Sequence, residues 1–278
     1  MTASHCLRRV SLALFSVVVA ASLVMQVQAA QGQFQPQVGQ AGKDVVWVPT
    51  PQVVVDQMLD MAKVTQQDFV MDLGSGDGRT VITAAKRGAR AQGIEFNPNM
   101  VELSRGNAAK EGVTERATFT RGDLFEADLS KATVITMFLL PDINLKLRPK
   151  LLDLKPGTRI VSNSFTMGEW QADQTQTVEK GCTSWCTALL WIIPAKVDGA
   201  WKLPQGELTL KQSFQMLSGA LKTGSSSAAI TNGKMDGDQI SFTAGGADYT
   251  GRVTGNAIDG TVNSKGSKSS WTATSAGK

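Results

Sequence analysis

The chain has 278 residues, 42% of them hydrophobic, which is enough for a sizeable core and for more than one domain. Its formal charge is +4, and Arg8 and Arg9 carry two of those charges, so the rest is too weakly basic to indicate nucleic acid. The single histidine, His5, lies in the leading segment with Cys6. Without that segment there is no His triad, His metal ligand or His general base, and Cys182 and Cys186 alone cannot make a thiolate zinc site.

Residues 1–29 place Arg8 and Arg9 before the apolar run Val10 to Met25 and end on Val27-Gln28-Ala29, a small-residue cleavage pattern. The run is shorter than the ~20 apolar residues of a spanning helix. A cleaved signal peptide is expected, with the folded part exported to the periplasm or secreted and no membrane span left after cleavage. Residues 30–44, rich in Gln and Gly, read as a flexible linker without chemistry. Val48-Pro49-Thr50-Pro51 then stops the chain, and Val54, Met58, Leu59, Met61 and Ala62 predict an amphipathic helix.

Phe69 to Ile82, FVMDLGSGDGRTVI, predicts a buried strand, a glycine loop and a helix. Gly74, Gly76 and Gly78 allow positive φ and leave no Cβ between a ligand and the backbone. Such a loop sits at the carboxyl ends of strands, where open α/β sheets bind ligands. Asp72 and Asp77 flank the glycines and would repel a pyrophosphate, so a cationic or neutral ligand is expected and a nicotinamide dinucleotide disfavoured. A second strand ends at Glu95, about twenty residues beyond the loop, where an acid accepts from ribose hydroxyls. Asn97 is the predicted N-cap of the next helix and Pro98 its first residue. A third strand, Ala117 to Thr120, leads into Gly122-Asp123-Leu124-Phe125.

Ala132 to Leu140 predicts a buried fourth strand ended by Pro141, followed by a helix interrupted or kinked at Pro149. Arg159 to Phe165 predicts a fifth strand. Thr175 to Glu179 and Ala188 to Ile193 form a terminal hairpin joined by GCTSWCT. Four extended steps would part Cys182 and Cys186 by ~13 Å, so a disulfide between them requires that segment to turn. From residue 206 on, Gly, Ser and Thr abound and turns recur at Asn232-Gly233, Asp236-Gly237 and Asp259-Gly260. This predicts an autonomous antiparallel meander or barrel of five to seven strands. Asp236, Asp238, Asp248 and Asp259 fit hairpin turns better than a metal site, and no metal is expected.

The order of elements and DLGSGDGR resemble the class I S-adenosylmethionine-dependent methyltransferases. GIEFNP, GDLF and LKPGTRIVS narrow the likeness to the small family of ATP-synthase c-subunit lysine methyltransferases and their exported bacterial relatives. Although the export signal and the small antiparallel β domain expected at 204–278 depart from the family, the resemblance implies an α/β fold, a seven-stranded Rossmann-like sheet with a terminal β-hairpin at 45–197. It implies S-adenosylmethionine as cofactor, bound by Asp72, Gly74, Ser75, Gly76, Asp77, Gly78, Glu95, Phe96, Asn97, Asp123 and Leu124. In this likeness Asp123 accepts from the adenine amine and the Leu124 amide meets a ring nitrogen. A protein lysine is the acceptor the family offers. Phe138-Leu139-Leu140-Pro141 stands where adenine-amine and glutamine-amide methyltransferases carry Asn-Pro-Pro-Tyr, which argues against those acceptors. Thr50, Asp142, Asn163 and Ser164 lie near the expected carboxyl ends of strands, where each reads equally as an acceptor contact or as a turn or cap residue, and no catalytic residue is marked. A nucleoside-binding module without turnover is the alternative reading.

Overall fold

The computed structural model describes residues 34–277, so the expected signal segment lies outside the described residues. The apolar run Phe69–Leu73 forms β1, buried from Val70 onward. It lies between β2 (Arg90–Glu95) and β4 (Val134–Met137), parallel to both. With β3 (Ala117–Arg121), β5 (Arg159–Asn163), β6 (Gln174–Thr177) and β7 (Thr187–Ile192), the sheet has the order β3-β2-β1-β4-β5-β7-β6. Strands β1 to β5 are parallel, and β7 runs antiparallel to β5 and β6. The strand order reverses between β1 and β4, which puts the ligand crevice over the carboxyl ends of these strands.

Helices α1 (Gln52–Met61), α2 (Arg79–Lys86) and α3 (Pro98–Lys110) cover one face. Val54, Leu59, Val81 and Val101 pack there on Val70, Val134 and Val161. The other face takes α4 (Pro141–Leu152), whose Ile143, Leu147 and Leu151 meet Met71, Ile135 and Ile160. The helix is not interrupted at Pro149: it runs on through that residue to Leu152, although proline has no N–H to give to the carbonyl of Leu145. Asn97 caps α3 as expected, its Oδ1 accepting from the Asn99 amide. Between β6 and β7 the chain does turn: Cys182 and Cys186 lie with Cα atoms 5.8 Å apart and form a disulfide.

The second sheet is a closed antiparallel barrel. Its strands are β8 (Gly199–Leu203), β9 (Gly206–Ser213), β10 (Met216–Thr223), β12 (Thr231–Asp236), β13 (Gln239–Ala244), β14 (Ala247–Thr254), β15 (Ala257–Ser264) and β16 (Ser267–Ser275). Pairing of β9 with β10 closes the ring, and the short β11 (Ser226–Ala229) adds to β10 from outside it. The eight staves exceed the five to seven expected, partly because β8 falls in residues 198–203, which neither expected unit includes. Hairpin geometry is visible at Asp236–Gln239, a two-residue loop with Gly237 at φ +59. Trp201, Leu208, Met235, Ile240, Phe242, Ile258 and Trp271 form a buried cluster that fills the interior.

The composition shift at Pro204-Gln205 marks a hairpin turn, since Leu203 pairs directly with Gly206. The connection between the sheets instead runs through residues 193–198, where Ile193, Ala195 and Val197 are buried. The barrel packs on the first sheet through Phe214, stacked on buried Trp170 at 5.8 Å. Gln215 Nε2 donates to Gln171 O at 2.8 Å, and Lys234 pairs with Asp173 at 3.0 Å. Residues 37–277 belong to one compact unit. Among the described residues no helix is long and apolar enough to cross a membrane.

Candidate active site

The glycine loop is shaped by its backbone. Gly74 and Gly76 have φ of +77° and +54°, values that side chains disfavour. The amides of Gly74 and Ser75 both donate to Ile94 O, at 2.9 and 3.0 Å. Glu95 then ties the loop to the start of α3: its Oε2 accepts from the Gly76 amide at 3.0 Å and its Oε1 from the Asn97 amide at 2.9 Å. A carboxylate has about four acceptor positions, so each oxygen keeps one for a ligand.

Asp72, Gly74, Ser75, Gly76, Asp77, Glu95, Phe96, Asn97, Asp123 and Leu124 all line one cleft enclosing about 1030 Å³, open solvent at its mouth included. Gly78 does not line it. A Cβ at Gly78 would come within 2.7 Å of Ser104 and 2.8 Å of Phe119, so this glycine lets α2 start close against α3 and β3. Phe96 presents a ring that is 45% exposed, and buried Ser75 Oγ has no hydrogen-bond partner among the described residues.

The acids differ in state. Burial pushes the Asp72 carboxyl up to about 7; a bond from Thr136 Oγ1 at 2.7 Å opposes the shift, and nearby Asp77 and Glu95 add to it. Asp77 is paired with Arg79 at 2.6 Å, and Arg79 also donates to Thr50 O at 2.9 Å. The cleft therefore carries less free negative charge than two acids beside the loop imply. Asp123 Oδ2 accepts from Lys43 Nζ at 2.5 Å, which holds this carboxyl below the ordinary range and raises the Lys43 ammonium above its own. The acid expected to face an adenine amine thus already has a partner.

That partner corrects the reading of the expected linker, residues 30–44, as a segment without chemistry, for the part from residue 37 on. Residues 37–50 fold as a strap along the cleft: Gly39 N donates to Trp47 O at 2.8 Å and Trp47 N to Gln40 O at 2.9 Å. Lys43 Nζ lies 5.2 Å from the centre of the Phe96 ring. A Cβ at Gly76 would stand 2.6 Å from Trp47 Nε1, so a larger residue there would push out the strap as well as block a ligand. The sequence signal is Lys43 followed by the apolar run Val45-Val46-Trp47-Val48, and a contact across 80 residues gives Lys43 its meaning.

Of the acceptor candidates, Thr50 lines the cleft. Asp142 is exposed in the first turn of α4, and Asn163, buried at the end of β5, accepts from Ser164 Oγ. Phe138, directly after β4, enters the sequence reading only as part of the segment in place of Asn-Pro-Pro-Tyr, and it lines the cleft too.

Residues 72–174 match the family model described as the ANTKMT methyltransferase domain. A protein-lysine N-methyltransferase of Saccharolobus islandicus (strain REY15A) is 49% identical over 140 residues, which cover 49% of this chain and 87% of that protein. The lysine N-methyltransferase of Homo sapiens that acts on the ATP synthase c-subunit is 35% identical over 128 residues; this chain spans about half of that relative's length, 54%. A crystal structure from Salinibacter ruber, described as an RNA methyltransferase in complex with S-adenosyl-L-homocysteine, superposes with a TM-score of 0.51 at 49% identity. It covers 54% of this chain and 96% of that one.

Proposed function

The chain belongs to the S-adenosylmethionine-dependent methyltransferases of the ANTKMT-domain family, and from that premise we propose that it methylates lysine side chains of a protein outside the cytoplasm. The observation that carries the reading is the row of acids at the ends of adjacent strands, Asp72, Glu95 and Asp123, around a loop whose glycines leave the backbone bare.

These residues fit the cofactor. Glu95 keeps two acceptor positions for ribose hydroxyls while it holds the loop, and Ser75 Oγ is a buried hydroxyl in want of a partner. Asp123 receives the adenine amine alongside or in place of Lys43, with the Leu124 amide for a ring nitrogen. Gly74 and Gly76 admit the ligand to the backbone, Asp72 and Asp77 favour its cationic end, and Phe96 and Asn97 close the ribose side. Trp47 and the strap cover the cleft on the side of Gly76. S-adenosylmethionine supplies a methyl group already activated on a sulfonium centre. What remains for the protein is alignment: the acceptor ammonium must first lose one proton to solvent so that its lone pair can stand in line with the methyl, the N–C bond forms as the S–C bond breaks, and the methylammonium formed stays protonated as lysine itself does. No histidine is needed.

Export is supported by the pattern of residues 1–29 and by the Cys182–Cys186 bridge, which suits an oxidising compartment. The test is mass spectrometry of peptides and envelope extract incubated with the full chain and S-adenosylmethionine. A gain of methyl groups on lysine is the expected result. The relative described as an RNA methyltransferase makes RNA the second acceptor to assay, and transfer to RNA alone would replace the lysine reading. Binding of S-adenosylhomocysteine with no transfer to any acceptor would favour the nucleoside-binding module instead.

A further inference from the structure

Three aromatic rings from separate strand ends meet beside the cleft. Phe138 follows β4, Phe165 follows β5, and Trp185 lies in the turn between β6 and β7. Phe138 and Phe165 stack with centroids 5.8 Å apart and planes at 20°. Trp185 tilts over both, at 6.0 Å from Phe138 and 5.0 Å from Phe165. Phe138 lines the cofactor cleft, whereas Trp185 is 46% exposed, so the cluster reaches from the cleft wall to solvent.

Trp185 is held there against its own preference. Its φ is +58°, an uncommon conformation for a bulky non-glycine residue. It lies inside the loop closed by the Cys182–Cys186 bridge, which restrains the turn in this shape. A large ring that is strained, half exposed and clasped by a covalent link is not explained by core packing. Aromatic faces attract ammonium groups, and their flat surfaces bury methylene stems.

We propose that Phe138, Phe165 and Trp185 form the acceptor subsite, taking an alkylammonium side chain from solvent and guiding it past Phe138 to the cleft, with the disulfide setting Trp185 in place. This rests on the lysine reading of the acceptor. Its consequence is redox dependence: reduction of the bridge frees Trp185 and weakens acceptor binding without touching the cofactor.

The full chain is titrated with choline, a quaternary ammonium, and with 3,3-dimethylbutan-1-ol, which has the same shape without charge. Binding is followed on the indole N–H resonance that disappears in Trp185→Ala. Choline is expected to shift that resonance and to bind about tenfold more tightly than the alcohol. In assays on short acetylated peptides with a central lysine, Trp185→Ala should raise KM about tenfold with S-adenosylhomocysteine affinity unchanged. Trp185→Phe should recover most of the loss. The Cys182→Ser, Cys186→Ser double variant, or wild type treated with dithiothreitol, should move KM in the same direction. Equal binding of choline and the alcohol, or an unchanged KM in Trp185→Ala, overturns the proposal. Choline binding at Trp185 in a protein that methylates no lysine peptide would sink the lysine reading while leaving the ammonium subsite standing.

Discussion

At the carboxyl edge of the parallel sheet, Asp72 is buried with its carboxyl raised to about 7, Ser75 Oγ lacks a partner among the described residues, and three loop glycines take positive φ. Inside the barrel, Trp201 and Trp271 give their indole N–H groups to the Val197 and Thr250 carbonyls, and Phe242 lies against Tyr249 and Trp271. The first region leaves polar groups poised around open space, while the second spends its aromatic groups on filling a ring. Chemistry is therefore expected at the sheet edge, and the barrel contributes by packing, through Phe214 on Trp170.

Glu95→Ala should give the largest effect, because that carboxylate both anchors the glycine loop and offers acceptor positions to the ribose. Charge-assisted bonds contribute about 1.5–3 kcal/mol each, so calorimetric titration with S-adenosylhomocysteine should show affinity lower by roughly a hundredfold. A loss under about threefold would mean that the cleft holds its ligand by other groups.

On the barrel side, Phe214→Ala should cost about 2–4 kcal/mol of stability in denaturant unfolding, as expected when a packed aromatic ring is removed. S-adenosylhomocysteine affinity should stay at the wild-type value. If affinity falls with stability, the two regions are coupled and the barrel does more than pack.

Asp72 sharpens the comparison through pH. Its folded value of about 7 lies above the ordinary 3.8, so the folded state binds a proton that the unfolded state has lost. Its contribution to the stability of the ligand-free protein is fully present below the unfolded pKa and is lost as pH rises through about 7. A cationic ligand favours the ionised form, so S-adenosylmethionine should bind roughly tenfold more weakly at pH 6 than at pH 8. Asp72→Asn should remove both dependences relative to wild type, measured as the difference between the two proteins over pH 5 to about 8. The same pH dependence in Asp72→Asn would assign the proton to another group.

Much of this edge was legible in the sequence because its signals are local. A strand, three glycines and a helix lie within fourteen residues, and the acids ending β2 and β3 follow at spacings that the βαβ unit fixes. Gly78 read as a ligand contact because spacing cannot separate a glycine facing a cleft from one facing a neighbouring helix. Residues 37–44 of the strap read as linker because Gln and Gly dominate 30–44, whereas the order of the strap comes from Asp123, Gly76 and Arg79, far along the chain. Turn chemistry revealed the β region, but β8 was missed beside the Pro204-Gln205 turn, and the docking of Phe214 on Trp170 leaves no periodic signal.

The smallest expected effect belongs to the strap, and its sign is the informative part. Lys43 pairs with Asp123 at 2.5 Å with about a third of its side chain exposed, so solvent screens the pair. Removing the ammonium frees Asp123 for the adenine amine, which favours binding, but it also loosens the strap that carries Trp47 over Gly76, which speeds escape. Loosening should prevail, since Asp123 retains unused acceptor positions even with Lys43 bound, whereas Lys43 ties the strap to the β3 end by a charged contact. Lys43→Met, which keeps the aliphatic stem, should therefore raise the dissociation rate of S-adenosylhomocysteine in stopped-flow displacement by roughly two- to fivefold. High salt should produce the same acceleration in wild type and leave the variant nearly unaffected. A slower dissociation in Lys43→Met would show that Lys43 competes for Asp123 instead of clasping the cleft, and the strap would then be a barrier to binding.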